Sequence, residues 1–228
     1  MSNHSVAGRA IAASALLLLG CGRAPAGSCT DRNEARAFAC SGGSARRAGD
    51  TLFVRLSSGR DLSFIDDPHG EAPGGFHYAG RIGGATFHMI ERYGHESAET
   101  FILVNAQTGR RVEASDEPVL SPDGMRFATA AEPDWNNCSE RNHPSLDIWR
   151  LTDSVPVREW RLDPFDCQAR TGWGPIHPHW RTVDTLEFLR SDEVRKATPD
   201  SSGIPVQYRT TPMRAVHDVN GWRIPGPG

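Results

Sequence analysis

The stretch Val119–Ala130, "VLSPDGMRFATA", decides how the rest of the chain is read. Two apolar runs flank a four-residue reversal. Pro122 presets φ for a turn, Asp123 can cap its backbone, and Gly124 accepts the positive φ that a tight reversal needs. The segment therefore predicts two short antiparallel strands. "LDIWRLT" (146–152), a turn and "VREWRLD" (157–163) extend it to four. Apolar residues at helical spacing over three turns are missing here and in the rest of 51–228, so this region reads as all-β.

The same grammar recurs on both sides. "TLFVRL" alternates Leu52, Val54 and Leu56 on one face, "SSGR" turns, and "DLSFID" follows. Then come "FHYAGRI", a Gly-Gly turn, "TFHMIERY", "ETFILVNA", "QTGR" and "RVEAS". After the central group come "PIHPHW", "DTLEFLR", "VQYRT", "MRAVHDV" and "GWRI". Units starting near Gly75, Glu117 and Gly174 are spaced by 42 and 57 residues, against the roughly 40–50 of a propeller blade, so the second interval carries an insertion. "VLSPDGMRFATA" followed by "DIWRLT" resembles the TolB-type propeller repeat, whose blades carry W-S-P-D-G before an apolar strand and a later I-Y/W-x-x-D strand. The match is specific in this blade alone. "PHWRTVDTLEF" keeps Pro178 and Trp180 without Asp-Gly, and "AGRIGGATF" substitutes Gly83-Gly84. The resemblance implies a β-propeller-like array of about three to four four-stranded blades. A closed ring needs at least four, so either "TLFVRL/DLSFID" completes the C-terminal blade or the array stays open. A β-sandwich built from the same hairpins is the alternative.

The N-terminus speaks of location. "MSNHSVAGR" carries one arginine, and "AIAASALLLL" is too short for a permanent span, which needs roughly 20 apolar residues. It has the length of a secretory h-region. Leu18-Leu19-Gly20-Cys21 resembles the lipobox of bacterial lipoproteins. That resemblance implies a signal peptide over 1–20, acylation (palmitate-type chains) at Cys21, and an anchor made of two or three acyl chains. Gly22 in place of aspartate after the cysteine looks like delivery to the outer membrane, facing the periplasm or the exterior. Removing the signal leaves 208 residues, 24 basic and 28 acidic side chains, enough for one cored domain and no case for nucleic acid. Only Lys196 is a lysine.

Residues 21–50 read as a lipidated tether with a small stapled turn, and 51–228 as the β domain. Asp31 and Glu34 resemble a capping box for one or two helical turns, after which "SGGSARRAGD" reads as loop. In an oxidising envelope Cys29, Cys40, Cys138 and Cys167 form an even set. Cys29–Cys40 is the simplest local pair. A Cys138–Cys167 bridge would staple the central insertion.

Candidate sites are few. His177 and His179 are two apart, so on a regular strand they share a face and could begin a zinc or copper site. His217, His143, His88 or Asp184 would have to complete it, since no cofactor is otherwise implied. The competing reading makes them rim residues with Trp180 packing inward. "YGHESAE" around Ser97 fails the G-x-S-x-G elbow by one position. Asp134, Asn136 and Asn137 lack the Gly and distal Glu of a calcium loop. Trp149, Trp160, Trp173, Trp180 and Trp222 are interleaved with Arg150, Arg158, Arg161, Arg170 and Arg181. Arg and Trp dominate interface hot spots, so Trp149, Trp160, Trp180, Arg158 and Arg181 read either as a binding surface or as core with Arg–Trp stacking at the rim. In "VREWRLD" Arg158, Trp160 and Leu162 are expected on one face.

These readings converge on a lipid-anchored envelope protein that binds or scaffolds a protein or envelope partner without catalysis. One narrower form is an inhibitor or immunity-type lipoprotein. A second class is a metal-assisted envelope hydrolase using His177, His179 and Asp163, Asp166 or Asp184. A third is an assembly accessory whose open strand edge pairs with another chain.

Overall fold

A computed structural model describes residues 28–70, 73–84, 86–94, 100–131, 143–169, 171–194 and 207–226. The expected signal region over 1–20, Cys21, Ser97, Asp134, Asn136, Asn137 and Cys138 lie outside the described residues. In chain order the elements are β1 (Cys29–Thr30), α1 (Glu34–Cys40), β2 (Ala45–Ala48), β3 (Thr51–Arg55), β4 (Asp61–Ile65), β5 (Gly74–Ile82) and β6 (Phe87–Gly94). They continue with β7 (Thr100–Asn105), β8 (Arg111–Ala114), β9 (Val119–Leu120), β10 (Arg126–Ala130), β11 (Leu146–Arg150) and β12 (Val157–Leu162). The last are β13 (Phe165–Asp166), β14 (Thr171–Gly172), β15 (Gly174–Thr182), β16 (Thr185–Val194), β17 (Gln207–Asp218) and β18 (Gly221–Arg223). The fold is all-β.

Four antiparallel sheets follow one another along the chain: β2-β3-β4, then β1-β5-β6-β7-β8, then β12-β11-β10-β9, then β15-β16-β17-β18, with the small hairpin β13-β14 before the last. The central turn forms as read. Gly124 has φ +67°, its amide donates to the Ser121 carbonyl at 2.8 Å, and Asp123 accepts from the Ser121 hydroxyl at 2.6 Å and the Met125 amide at 3.0 Å. Burial works against the Asp123 carboxylate, but these bonds and the Arg126 charge hold its pKa below the usual value.

Each interface between successive sheets has its own apolar core. Leu52, Val54 and Phe64 of the first sheet meet Tyr78, Ile90, Ile102 and Val104 of the second. The other face of that second sheet, with Ala79, Met89, Phe101 and Leu103, meets Phe127 and Leu151. Ala128, Ala130, Leu146 and Ile148 of the third sheet then meet Leu186, Phe188, Ala215 and Trp222 of the fourth. This explains why "FILV" in β7 is continuously apolar: Phe101 and Leu103 face one core, Ile102 and Val104 the other, and all four are buried. Full burial of each such side chain contributes roughly 1.5–3 kcal/mol.

Among the described residues no core joins the fourth sheet to the first, and no closed barrel or propeller ring forms. "TLFVRL/DLSFID" does not complete the C-terminal blade; it pairs with β2 in a sheet of its own. The outer face of that sheet is largely polar: Arg46 and Arg55 share Asp61 at 3.0 and 2.8 Å, Arg46 covers the Phe53 ring, and Ile65 is exposed. With arginines and a carboxylate over most of this face, the described sheets form an open array.

Three local readings change. "SGGSARRAGD" is not all loop, because Ala45–Ala48 pairs with Thr51–Val54. The helix is capped by Asn33, whose side chain accepts from the Arg36 amide at 3.2 Å; Asp31 instead accepts from the Asn33 amide at 2.8 Å. The segments read as separate strands in "VQYRT" and "MRAVHDV" are one strand over Gln207–Asp218, β17. Pro212 is tolerated there because β18 covers only Val216–Asp218. The His217 amide donates toward the β16 side, to the Asp184 carbonyl at 3.0 Å, so Pro212, five residues away, sits where its missing N–H would face the open edge. That blunts the edge against strand addition.

Candidate binding cleft

One concavity lies beside the stretch where β5 would otherwise expose a bare edge. Opposite Phe76–Tyr78 there is no neighbouring strand: β1 pairs only with Gly80–Arg81, and Asp67 bridges Gly74. Carboxylates stand in for that strand. Asp66 accepts from the Phe76 amide at 2.8 Å and Glu34 from the Tyr78 amide at 2.9 Å. Arg47 ties the two acids together, bonding Glu34 at 2.9 and 2.8 Å and Asp66 at 2.7 Å, and donates to the Phe76 carbonyl. Burial opposes the charge on Glu34, yet the bonds from Arg47 and Tyr78 and the Arg47 charge hold its pKa below the usual range. The Cys29–Cys40 disulfide forms as expected, with Cα atoms 5.7 Å apart, and clamps β1 to the end of α1.

This frame holds His77 of β5 opposite Glu91 of β6. Together with Thr30 of β1, Asp31 and Arg32 just after it, Tyr93 on β6 and Glu117 from the loop before β9, they wall a cleft of about 440 Å³ at the end of the interface between the second and third sheets. Its floor is apolar: Ala79, Met89 and Phe101, all buried. Arg32 crosses the mouth to Glu117 at 2.7 Å. His77 Nε2 is buried and has no hydrogen-bond partner. None of these cleft residues was a sequence candidate. Their convergence depends on the register of β5 with β6 and on sheet stacking, and no local motif encodes either.

The sequence candidates fall elsewhere. His177 and His179 do not lie on one regular strand face, because β15 bulges between Ile176 and His179 and His177 sits at φ +51°. His179 pairs with Glu187 at 3.0 Å, a residue shared with Arg181 at 2.9 Å. His143 lies 2.6 Å from Asp163, and His217 lies 3.7 Å from Asp184. Asp166 caps its own turn through the Gln168 and Ala169 amides. Among the described residues no group of three or more His, Cys, Asp or Glu could hold a metal ion, and the zinc or copper reading finds no ligand set. Cys167 is disulfide-bonded.

Among the described residues His88 is the one fully buried histidine, with Nδ1 3.0 Å from the Tyr78 hydroxyl. Burial, reinforced by the Arg81 charge, pushes its pKa down to about 4. Burial likewise pushes the Tyr78 phenol up.

The described tryptophans pack on the cores: Trp222 is buried, and Trp149, Trp160, Trp173 and Trp180 are partly buried against that core or its neighbour. Trp149 stacks on Phe127 at 5.9 Å, with the Arg158 guanidinium 5.4 Å from its ring. Trp180 meets Trp222 edge-on at 5.6 Å and donates to the Val119 carbonyl at 2.8 Å. Trp160 packs against the core of the third and fourth sheets. Of the proposed surface, only Arg158 and Arg181 present substantial side-chain area to solvent. Arg158 also leaves the face it was expected to share with Trp160 and Leu162. The register steps from Ile148↔Trp160 to Trp149↔Arg158, so Glu159 is an extra residue. The bulge puts Arg158 and Arg161 on one side, 3.5 and 3.7 Å from buried Asp147. Glu159 turns to Arg126, Arg150 and the Trp222 indole.

Comparison with protein-family models, curated proteins and solved structures returns no match for this chain.

Proposed function

We propose that this chain is a lipid-anchored protein of the bacterial cell envelope that serves as a non-catalytic binding or scaffolding module for a protein or envelope partner. The observation that carries the reading is Leu18-Leu19-Gly20-Cys21 at the end of a ten-residue apolar run. A thiol in that position is the attachment point for acyl chains, and each buried methylene contributes about 0.8 kcal/mol to membrane attachment. No described helix is long and apolar enough to cross a membrane.

Two further features support it. Successive cored sheets make a stiff body on which loops hold fixed positions. The cleft beneath Arg32 and Glu117 combines an apolar floor with a few convergent polar groups, the usual build of a ligand site.

The test is a Cys21→Ser exchange in the native host. The parent protein is expected in the membrane fraction, with an intact mass that shows signal removal and acyl addition. The variant is expected in the soluble fraction with neither change. An unmodified, uncut parent chain would refute the anchor.

A further inference from the structure

We infer that Asn220 is a modification site: its side-chain amide is lost through a ring closed with the Gly221 backbone nitrogen, and the isoaspartyl product shifts the last strand and with it Trp222. The inference stands apart from both the anchor and the cleft.

Asn220-Gly221 is the one Asn-Gly pair in the sequence. The fold puts Asn220 in the two-residue loop of the β17–β18 hairpin, closed by the pair Asp218↔Gly221. Gly221 has φ +99°, which L side chains rarely adopt, so this turn demands glycine. The same demand makes its neighbour reactive. A Cβ built on Gly221 would meet nothing within 4 Å, so neither a side chain nor a neighbouring group shields its nitrogen. Asn220 is exposed, and Val219 beside it fully so. The Asn220 backbone N–H donates to Asp218 Oδ1 at 2.8 Å, while its side-chain amide has no partner among the described residues.

The chemistry balances with water as the only co-reactant. The Gly221 nitrogen attacks Asn220 Cγ, a C–N bond closes a cyclic imide, and the side-chain nitrogen leaves as ammonia with the backbone proton. Water then opens the ring. Cleavage at Cγ gives aspartate; cleavage at the backbone carbonyl gives isoaspartate, whose main chain runs through the side-chain carbons. The attack requires the Gly221 amide to leave the ladder, and it belongs to the closing pair of three, beside solvent, where strands open most readily. Other candidates are held. Asp123, which also precedes a glycine, is tied to the Ser121 hydroxyl and the Met125 amide. Asn105 is buried with both ends of its amide bonded.

Only Val216↔Arg223, His217↔Trp222 and Asp218↔Gly221 hold β18. Trp222 is 8% exposed, meets Trp180 edge-on at 5.6 Å and donates to Glu159 at 3.3 Å. An extra backbone atom at residue 220 breaks that register and draws Trp222 off Trp180. The product also adds a negative charge near Asp218, which Arg223 pairs at 2.8 Å.

The experiment ages the full chain in detergent micelles at mildly alkaline pH, alongside a blocked peptide with the sequence of residues 217–223. Mass-spectrometric peptide mapping, with fragmentation that separates aspartate from isoaspartate, reads each site. Asn220 is expected to convert about tenfold faster than Asn33 and Asn105, whose reaction must await local opening. Tryptophan emission is expected to shift to the red in step with isoaspartate. Asn220→Gln should neither convert nor shift. Asn220→Asp, which has the charge without the altered linkage, should start with the emission of the parent. Conversion no faster than at Asn33, or an intact Asn220 in a chain whose free peptide has reacted, would overturn the site. Isoaspartate with unchanged emission would overturn the strand shift. Membrane fractionation, which tests the anchor, is read separately.

Discussion

The Arg47 cluster behind the cleft and the Asp147 cluster in the third sheet are assembled from the same chemistry, arginine and carboxylate, yet their carboxyl groups shift in opposite directions. Glu34 is about one-fifth exposed and Asp147 almost fully buried, and burial opposes the charge in both. At Glu34 direct bonds from Arg47 and the Tyr78 amide overcome it and the pKa falls. At Asp147 the guanidinium groups of Arg158 and Arg161 stand 3.5 and 3.7 Å away, Oδ1 has no hydrogen-bond partner, and the pKa rises. Proximity of opposite charge is thus not enough. A buried carboxylate is held in its charged form by donors at bonding distance.

Replacing Arg47 should break the comparison most forcefully. Arg47→Ala leaves Glu34, Asp66 and the Phe76 carbonyl without their donor, and should cost about 3 kcal/mol of stability in urea unfolding. A loss below about 1 kcal/mol would mean that the lattice contributes no more than the looser cluster does.

Acid provides the next test, because the buried groups differ in sign. His88 has a folded pKa of about 4 against 6.5 unfolded, so between those values the unfolded chain binds more protons. Stability should fall by up to about 3 kcal/mol as pH drops from 6.5 to 4. His88→Phe should flatten that slope in a pH series of thermal melts. Below the ordinary carboxylate range, Glu34 adds a further loss, because its stabilisation is present above its unfolded value and disappears as pH falls through its lowered folded value. Asp147 works the other way: its raised folded pKa makes it a growing cost as pH climbs from 3.8 through the folded value.

The smallest change is expected at Asp147 itself. Asp147→Asn removes a poorly bonded buried charge and should leave stability at pH 7 equal or higher by less than about 1 kcal/mol. A loss of 3 kcal/mol in urea unfolding would show that Arg158 and Arg161 hold it as firmly as Arg47 holds Glu34.

Much of the fold was legible. Alternation located Leu52 and Val54, the apolar run located β7, and Pro122-Asp123-Gly124 located the central reversal with its cap. Strand β2 was not, because "ARRA" has no apolar alternation. Ala45 is buried, while Arg47 is drawn inward by carboxylates from α1 and from the end of β4. Bulges were equally hidden. One extra residue at Glu159 and one distorted position at His177 reverse the faces that a period of two assigns, and so dissolve both a predicted Arg–Trp face and a predicted histidine pair.

Local sequence alone therefore determined most of the strands, the central turn, the Cys29–Cys40 staple and the class of fold, because these depend on neighbours a few residues apart. The proposed lipobox, too, is read from four adjacent residues. Tertiary structure decided which sheet follows which, whether the array closes, and that His77, Glu91 and Glu117 share one cleft with Arg32. Those outcomes rest on register and on the stacking of faces, where residues 85 apart meet at 2.7 Å, and no short-range pattern carries that information.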